Sequence, residues 1–237
     1  MKILCLIPTR SGSEGIPNKN IKIFHGHPLL SWSIRQAQKS SYEMKIVVST
    51  DSEEYSKIAS QYHAEVPFLR PTSISGKYSS DLEVFHHCLL WLKENQQYVP
   101  DIVLHLRPTQ PCRKVSDIDK CLRIFIENYK YYDSLRTVIP SPKSPYKMYT
   151  ISDNKLNPIF KDLGSLKEPY NQARQLLPDS FIHNGYIDIF KSSLVSDETI
   201  SGERIYPYIM ESSETIDIDN LKDWDHAEKL FSETLFL

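Results

Sequence analysis

The chain has 237 residues, 40% of them hydrophobic and 24% charged, with a formal net charge of −2. That length suits one large globular domain, and the near-neutral balance gives no reason to expect a nucleic-acid or membrane partner. Cys5, Cys88, Cys112 and Cys121 lie too far apart for a zinc motif or a disulfide framework, so reduced thiols in a cytoplasmic protein are the simplest reading. Five apolar residues before Pro8 are too few for a signal peptide or a membrane span.

The first predicted element is Ile3-Leu4-Cys5-Leu6-Ile7, an apolar run of the length of a buried strand. It empties into Pro8-Thr9-Arg10-Ser11-Gly12-Ser13-Glu14-Gly15-Ile16-Pro17-Asn18-Lys19-Asn20. A buried strand followed by glycine, serine and cations is how α/β proteins build phosphate sites. Gly12 and Gly15 admit close backbone approach, their N–H groups can form an anion nest, and Arg10 and Lys19 add positive charge. An ordinary polar loop is the plainer reading. The spacings of the P-loop and of the dinucleotide glycine motif are both absent.

Pro28 to Ala37 then reads as an amphipathic helix, with Leu30, Ile34 and Ala37 on one face. Lys45 to Asp51 is a second strand, and Ser52 to Tyr62 a helix capped by Asp51 or Ser52. Ala64 to Leu69 is a short third strand leading to Arg70-Pro71. Ser80 to Asn95 is a helix, Asp101 to Leu106 a fourth strand, and Val115 to Tyr129 another helix. The alternation predicts an α/β fold: a mostly parallel, Rossmann-like sheet with helices on both faces and crevices at the strands' C-terminal ends. The polar loops all fall at such ends, which places the site there.

From Ser134 the rhythm breaks. Leu135 to Ile139 can be a strand, whereas residues 141–180 mix prolines, tyrosines and charge without periodicity and read as an insertion. Phe181 to Phe190 is a strand kinked at Asn184-Gly185. Ile205 to Met210 and Ile216 to Asp219 are further strands, and Leu221 to Leu230 is a closing helix. On a strand, Asp217 and Asp219 face one way, and two neighbouring carboxylates repel unless a cation sits between them. Mg²⁺ suits a pair of carboxylates completed by phosphate oxygens and water; a solvated edge is the plainer alternative. His86, His87 and His105 have no metal-ligand company.

The first loop resembles the N-terminal signature of the acylneuraminate cytidylyltransferases, the CMP-sialic acid synthetase family, at Arg10, Gly12, Ser13, Pro17, Lys19 and Asn20. Thr215-Ile216-Asp217-Ile218-Asp219 resembles its C-terminal metal motif, with threonine for serine. Leu69-Arg70-Pro71, the Leu106 to Arg113 stretch, Lys147, the segment from Gln172 to Pro178 and Asn184-Gly185 complete a resemblance over nearly the whole chain. Arg107, where sialic-acid enzymes tend to have glutamine, and Lys147 resemble the branch activating legionaminic and similar bacterial acids.

The resemblance implies CTP and a nine-carbon sugar acid as substrates, Mg²⁺ on Asp217 and Asp219, and a homodimer exchanging the 141–180 arm as a dimerisation insertion. Arg10, Lys19 and Asp217 would be catalytic. Arg10, Gly12, Ser13, Lys19, Asn20, Arg70 and Asp81 would bind nucleotide. Arg107, Gln110, Lys147, Arg174 and Asn184 would bind the sugar. Asp81 reads equally as a carboxylate for the base amine or as a helix N-terminal residue favoured by the dipole, and Arg113 as a partner of Asp117 or Asp119. Glu14 departs from the family, which usually has lysine there. Its sign opposes a triphosphate, so Glu14 would pair with Lys19, hold a second Mg²⁺ or mark an altered substrate. Three other readings stay open: a guanylyltransferase, a transferase for a 3-deoxy-octulosonate-type acid, and a non-catalytic nucleotide-binding regulator.

Overall fold

This computed structural model describes residues 1–211 and 215–237. Its centre is a sheet of six strands: β1 (Ile3–Pro8), β2 (Lys45–Ser49), β3 (Ile102–His105), β4 (Ser134–Pro140), β5 (Phe181–Lys191) and β6 (Ile205–Ile209). They lie in the order β6-β4-β5-β3-β1-β2. Every neighbouring pair is parallel except those made by β5, which runs antiparallel to both β4 and β3. The mostly parallel expectation holds, with one strand reversed.

Helices cover both faces because β1 and β3 are apolar on both. Ile3, Cys5 and Ile7 pack under α1 (Leu29–Lys39), α2 (Glu53–Gln61) and α4 (Val115–Glu127); Leu4 and Leu6 pack under α3 (Asp81–Gln96) on the other side. Ser52 caps α2 by accepting from the Tyr55 N–H, and Ser80 with Glu83 forms a capping box on α3. All four cysteines are buried and unbonded to one another, and burial pushes the Cys5 thiol up to about 12. Among the described residues no helix is long and apolar enough to cross a membrane.

Two predicted strands do not form. Ala64 to Leu69 makes isolated parallel bridges, Val47 with Glu65 and Thr50 with Leu69, and Pro67 between them has no N–H to continue the ladder. Residues 216–219 run without strand pairing. The alternation nevertheless survives: Ile216 and Ile218 are buried, and Asp217 and Asp219 are exposed. The segment is held by the Ile218 N–H, which donates to Thr109 O at 2.9 Å. Its isoleucines enter a cluster with Phe24, Trp32 and Trp224 of α5 (Leu221–Leu230), whose cap is Asn220.

Residues 141–180 leave the sheet between β4 and β5, closed at the base by Ser141 N–H donating to Ser180 O at 2.8 Å. They form two small hairpins, Tyr149–Ser152 with Lys155–Pro158 and Asp162–Leu163 with Leu166–Lys167. The predicted kink in β5 is a bulge: His183 opposes Val138 and Asp188 opposes Arg136, with Gly185 at φ +66° between them.

Ile218 thus bears the anchoring of the acidic segment on a fully buried side chain. Ile218→Ala should cost about 2–5 kcal/mol, read from urea denaturation, with the Asp217 and Asp219 pair loosened at the same time.

Candidate active site

A cleft of about 360 Å³ opens at the C-terminal ends of β1 and β3, with Arg10, Lys19, Asp81, Arg107 and Asp219 among its walls. A second, of about 270 Å³, lies beside it against Arg70, Ser75 and Ser79, and Arg10 and Asp81 line both. Such crevices are where open α/β sheets bind ligands.

The loop after β1 is pinned from outside. Ser11 donates through its N–H and hydroxyl to the two Asp51 carboxylate oxygens at 2.9 and 2.8 Å. Asp51 therefore holds the loop, and capping α2 falls to Ser52 alone. Arg10 donates to Gly76 O at 3.0 Å, and Asn20 to Arg10 O at 3.1 Å. Among the described residues Asn20 Oδ1 is buried without a partner, an acceptor left for a ligand.

Gly12 and Gly15 differ. Gly12 has open space where a Cβ would stand, whereas at Gly15 that Cβ would lie 2.1 Å from Asp219 O. Gly15 is required by the acidic segment passing over it. Lys19 donates to Ile218 O at 2.5 Å and stands 3.5 Å from Asp219 Oδ1. Glu14 pairs with Lys77 at 3.1 Å and not with Lys19, so a cation from the loop before α3 faces the acid that breaks the family pattern.

Asp217 and Asp219 are the metal candidates. Partial burial raises the Asp217 pKa; the Thr109 hydroxyl, hydrogen-bonded to it, opposes that, and Asp219 raises it further. The mutual repulsion of the two carboxylates, only partly answered by Lys19 and Arg107, suits a further cation. Among the described residues no three His, Cys, Asp or Glu side chains converge on a metal position, so substrate oxygens and water would complete the coordination, as Mg²⁺ favours.

Arg107 sits between two carboxylates. Nη1 donates to Asp188 Oδ2 at 2.6 Å and to Gly185 O at 3.3 Å, and Nη2 donates to Asp81 Oδ2 at 3.3 Å. Burial works against its charge, and Asp188 with Asp81 more than restores it, so its pKa lies above the ordinary value. Asp188 also binds His183 Nε2 at 2.7 Å. Burial disfavours the Asp188 charge, yet the His183 hydrogen bond and the Arg107 guanidinium hold its carboxyl well below the usual range. His105, in the cleft wall, is fully buried, and burial lowers its pKa to about 4. It is a neutral wall residue.

The remaining expected residues divide. Arg70 is 5% exposed in the second cleft, its Nε donating to Ser75 Oγ at 3.1 Å. Gln110 is 1% exposed and spends its amide on Asn184 O at 2.7 Å; Thr137 donates to Asn184 Oδ1. Lys147 donates to Gln172 O, and Arg174 lines a separate 460 Å³ cleft with Ser144 and Phe181. Within one chain neither reaches the main cleft. Arg113 pairs with neither Asp117 nor Asp119: those carboxylates accept from Tyr186 and Ser40, and Arg113 donates to backbone and amide oxygens. The sequence offered Asp51 only as a helix cap and gave no role to Lys77, His183 or Asp188. Asp188, a carboxylate inside the apolar run from Tyr186 to Phe190, carried a readable signal.

A sequence model of the cytidylyltransferase family matches residues 4–231. The chain is 32% identical over 234 residues to post-translational flagellin modification protein B of Campylobacter coli, covering 98% of this chain and 96% of that one. It is 34% identical over 237 residues to CMP-N,N′-diacetyllegionaminic acid synthase of Legionella pneumophila, covering 97% and 96%. To pseudaminic acid cytidylyltransferase of Campylobacter jejuni it is 29% identical over 233 residues, covering 98% and 97%. Among solved structures, CMP:2-keto-3-deoxy-manno-octonic acid synthetase complexed with CTP superposes with a TM-score of 0.69 at 13% identity, covering 97% and 98%, a likeness of fold.

Removing Asp188 would leave the half-buried Arg107 guanidinium with only the looser of its two carboxylate contacts, to Asp81. Asp188→Ala should cost about 1.5–3 kcal/mol by denaturant unfolding at pH 7. Because the folded pKa is depressed, this stabilisation is present above the ordinary Asp value of about 3.9 and is lost as pH falls toward the folded one. The gap between wild type and variant should stay level from about pH 5 to 8 and narrow below about pH 4.

Proposed function

The chain belongs to the cytidylyltransferase family, and on that premise we propose that it joins CTP to a nonulosonic, sialic-acid-like sugar acid. The products are the CMP-sugar and pyrophosphate. The observation that carries this reading is the cleft at the ends of β1 and β3 in which Arg10, Lys19 and Arg107 stand with Asp219, and Asp217 lies close enough to Lys19 and Arg107 to interact with their charges. The full-length likeness to enzymes named for legionaminic and pseudaminic acids supports the acceptor class.

The acceptor's anomeric oxygen forms a bond to the α-phosphorus as the bond to the bridging oxygen of the β-phosphate breaks, and the hydroxyl proton leaves to water. Such transfers depend on positioning and charge neutralisation. Arg10 and Lys19 neutralise the triphosphate over the loop of Gly12 and Ser13. Asn20 offers its unspent Oδ1 to a ribose hydroxyl, and Arg70 with Asp81 flanks the base. Arg107 faces the acid, with Asn184 bracing the bulge behind it. Asp217 and Asp219 hold Mg²⁺, which when bound neutralises charge on the phosphates.

The 141–180 arm exposes Ile151 at 77%, Leu156 at 65% and Leu176 at 62%. This apolar surface supports an arm that packs on a second copy and carries Arg174 and Lys147 to that copy's acceptor site. The setting is the cytoplasm, in a homodimer.

Pyrophosphate release with Mg²⁺ should appear with CTP, and not with GTP, ATP or UTP, for one acid among N-acetylneuraminic, legionaminic and pseudaminic acids. Release confined to GTP, or to 3-deoxy-octulosonic acid, would move the assignment. Asp217→Asn should lower kcat by about 10²–10³-fold. Free of the repulsion from Asp219, it should raise the melting temperature of the metal-free protein by about 1–4 °C. Mg²⁺ should raise the melting temperature of wild type and leave that of the variant unmoved.

A further inference from the structure

Arg107 is held unequally by its two carboxylates. Asp188 lies 2.6 Å from Nη1, is 7% exposed on its side chain, and is tied on its other oxygen by His183. Asp81 lies 3.3 Å from Nη2 and is 43% exposed. The start of α3 does not need the Asp81 side chain, since Ser80 and Glu83 already form the capping box. Asp81 also stands on the wall shared by the two clefts, with Arg70 and Ser79 on the other side. One partner is built in; the other rests on a solvent-reached face of a planar, carboxylate-matching fork.

We propose that Asp81 is an exchangeable stand-in for the acceptor's carboxylate on Arg107, displaced when the acceptor binds. This rests on the acceptor being a sugar acid, as proposed above. Asp188 is the positioning residue that keeps the fork aimed into the cleft during the exchange. Released, the Asp81 carboxylate faces the second cleft, where it accepts from an N–H donor on the nucleotide base. A nucleotide that draws Asp81 over uncovers Arg107 for the acceptor, and by linkage the acceptor favours the nucleotide. Asp81 is then the joint between two substrate sites, which reconciles its expected place beside the base with its observed contact on Arg107.

The test titrates N-acetylneuraminic, legionaminic and pseudaminic acids calorimetrically into wild type, Asp81→Asn and Glu14→Gln, without metal, with and without CTP. Glu14→Gln removes one negative charge from the same cleft but none from Arg107. For the acid that wild type consumes, Asp81→Asn should bind about two- to five-fold tighter without nucleotide, the scale of an exposed ion pair removed. Glu14→Gln should not. CTP should tighten acceptor binding to wild type and leave Asp81→Asn unchanged. Equal or weaker binding by Asp81→Asn, an equal gain in Glu14→Gln, or undiminished CTP coupling in Asp81→Asn would each overturn the proposal while turnover by wild type leaves the proposed function standing. If wild type consumes none of the acids with CTP, the function falls and this proposal with it.

Discussion

The rest of the structure depends on a buried cation that has no carboxylate partner among the described residues. Arg113 is fully buried, and its guanidinium donates to Tyr186 O at 2.5 Å, Arg107 O at 3.0 Å and Gln36 Oε1 at 2.9 Å. Those oxygens belong to β5, to the loop after β3 and to α1. A charge taken out of water is tolerated when its donors are met, and here carbonyl and amide dipoles meet them. Burial lowers its pKa to about 10, which leaves it charged at neutral pH. Since two of its acceptors are backbone, Arg113 sets the spacing between the loop that carries Arg107 and the bulge that carries Asn184 and Gly185.

Outward from that brace the site is a set of charges already answered within the chain. Arg107 has Asp188 and Asp81, Lys19 has Asp219, and Glu14 has Lys77. The deep pair, Arg107 with Asp188, is a fixed part of the wall. The outer pairs are solvent-exposed on at least one side, and such pairs hold weakly. An incoming polyanion can therefore recruit Arg10 and Lys19 by replacing weak internal partners, without unmaking the core. The Glu14 pairing also softens the sign conflict at that position, because the acid arrives with a cation beside it.

The acidic segment shows how a motif can keep its function-bearing pattern without its expected secondary structure. Its alternation comes from Ile216 and Ile218 entering the cluster around Trp32 and Trp224, with one backbone bond to Thr109 setting the register. Its depth over the first loop is set by Gly15, where any side chain would strike Asp219 O. The two ends of the chain therefore build the cleft together, some two hundred residues apart in sequence.

Local chemistry determined much of this protein from the sequence alone. Apolar runs beside polar loops located β1 and β3 and put the site at their ends, and apolar periodicity with a cap at Asp51 or Ser52 located helices, because burial and capping act over a few residues. Arg10, Lys19, Asp217 and Asp219 stood out as candidates from equally local patterns, cations in a glycine-bearing loop and carboxylates alternating with isoleucines. Tertiary structure alone decided which charge meets which. Asp51 reaches the first loop from the end of β2, Lys77 answers Glu14, Asp188 claims Arg107, and Gln110 turns inward to Asn184. It also reversed β5, and it reduced Ala64 to Leu69 to two bridges. Ion pairs and strand order join residues tens to hundreds of positions apart, and their partners are chosen by the packing of the whole sheet, which no local pattern encodes.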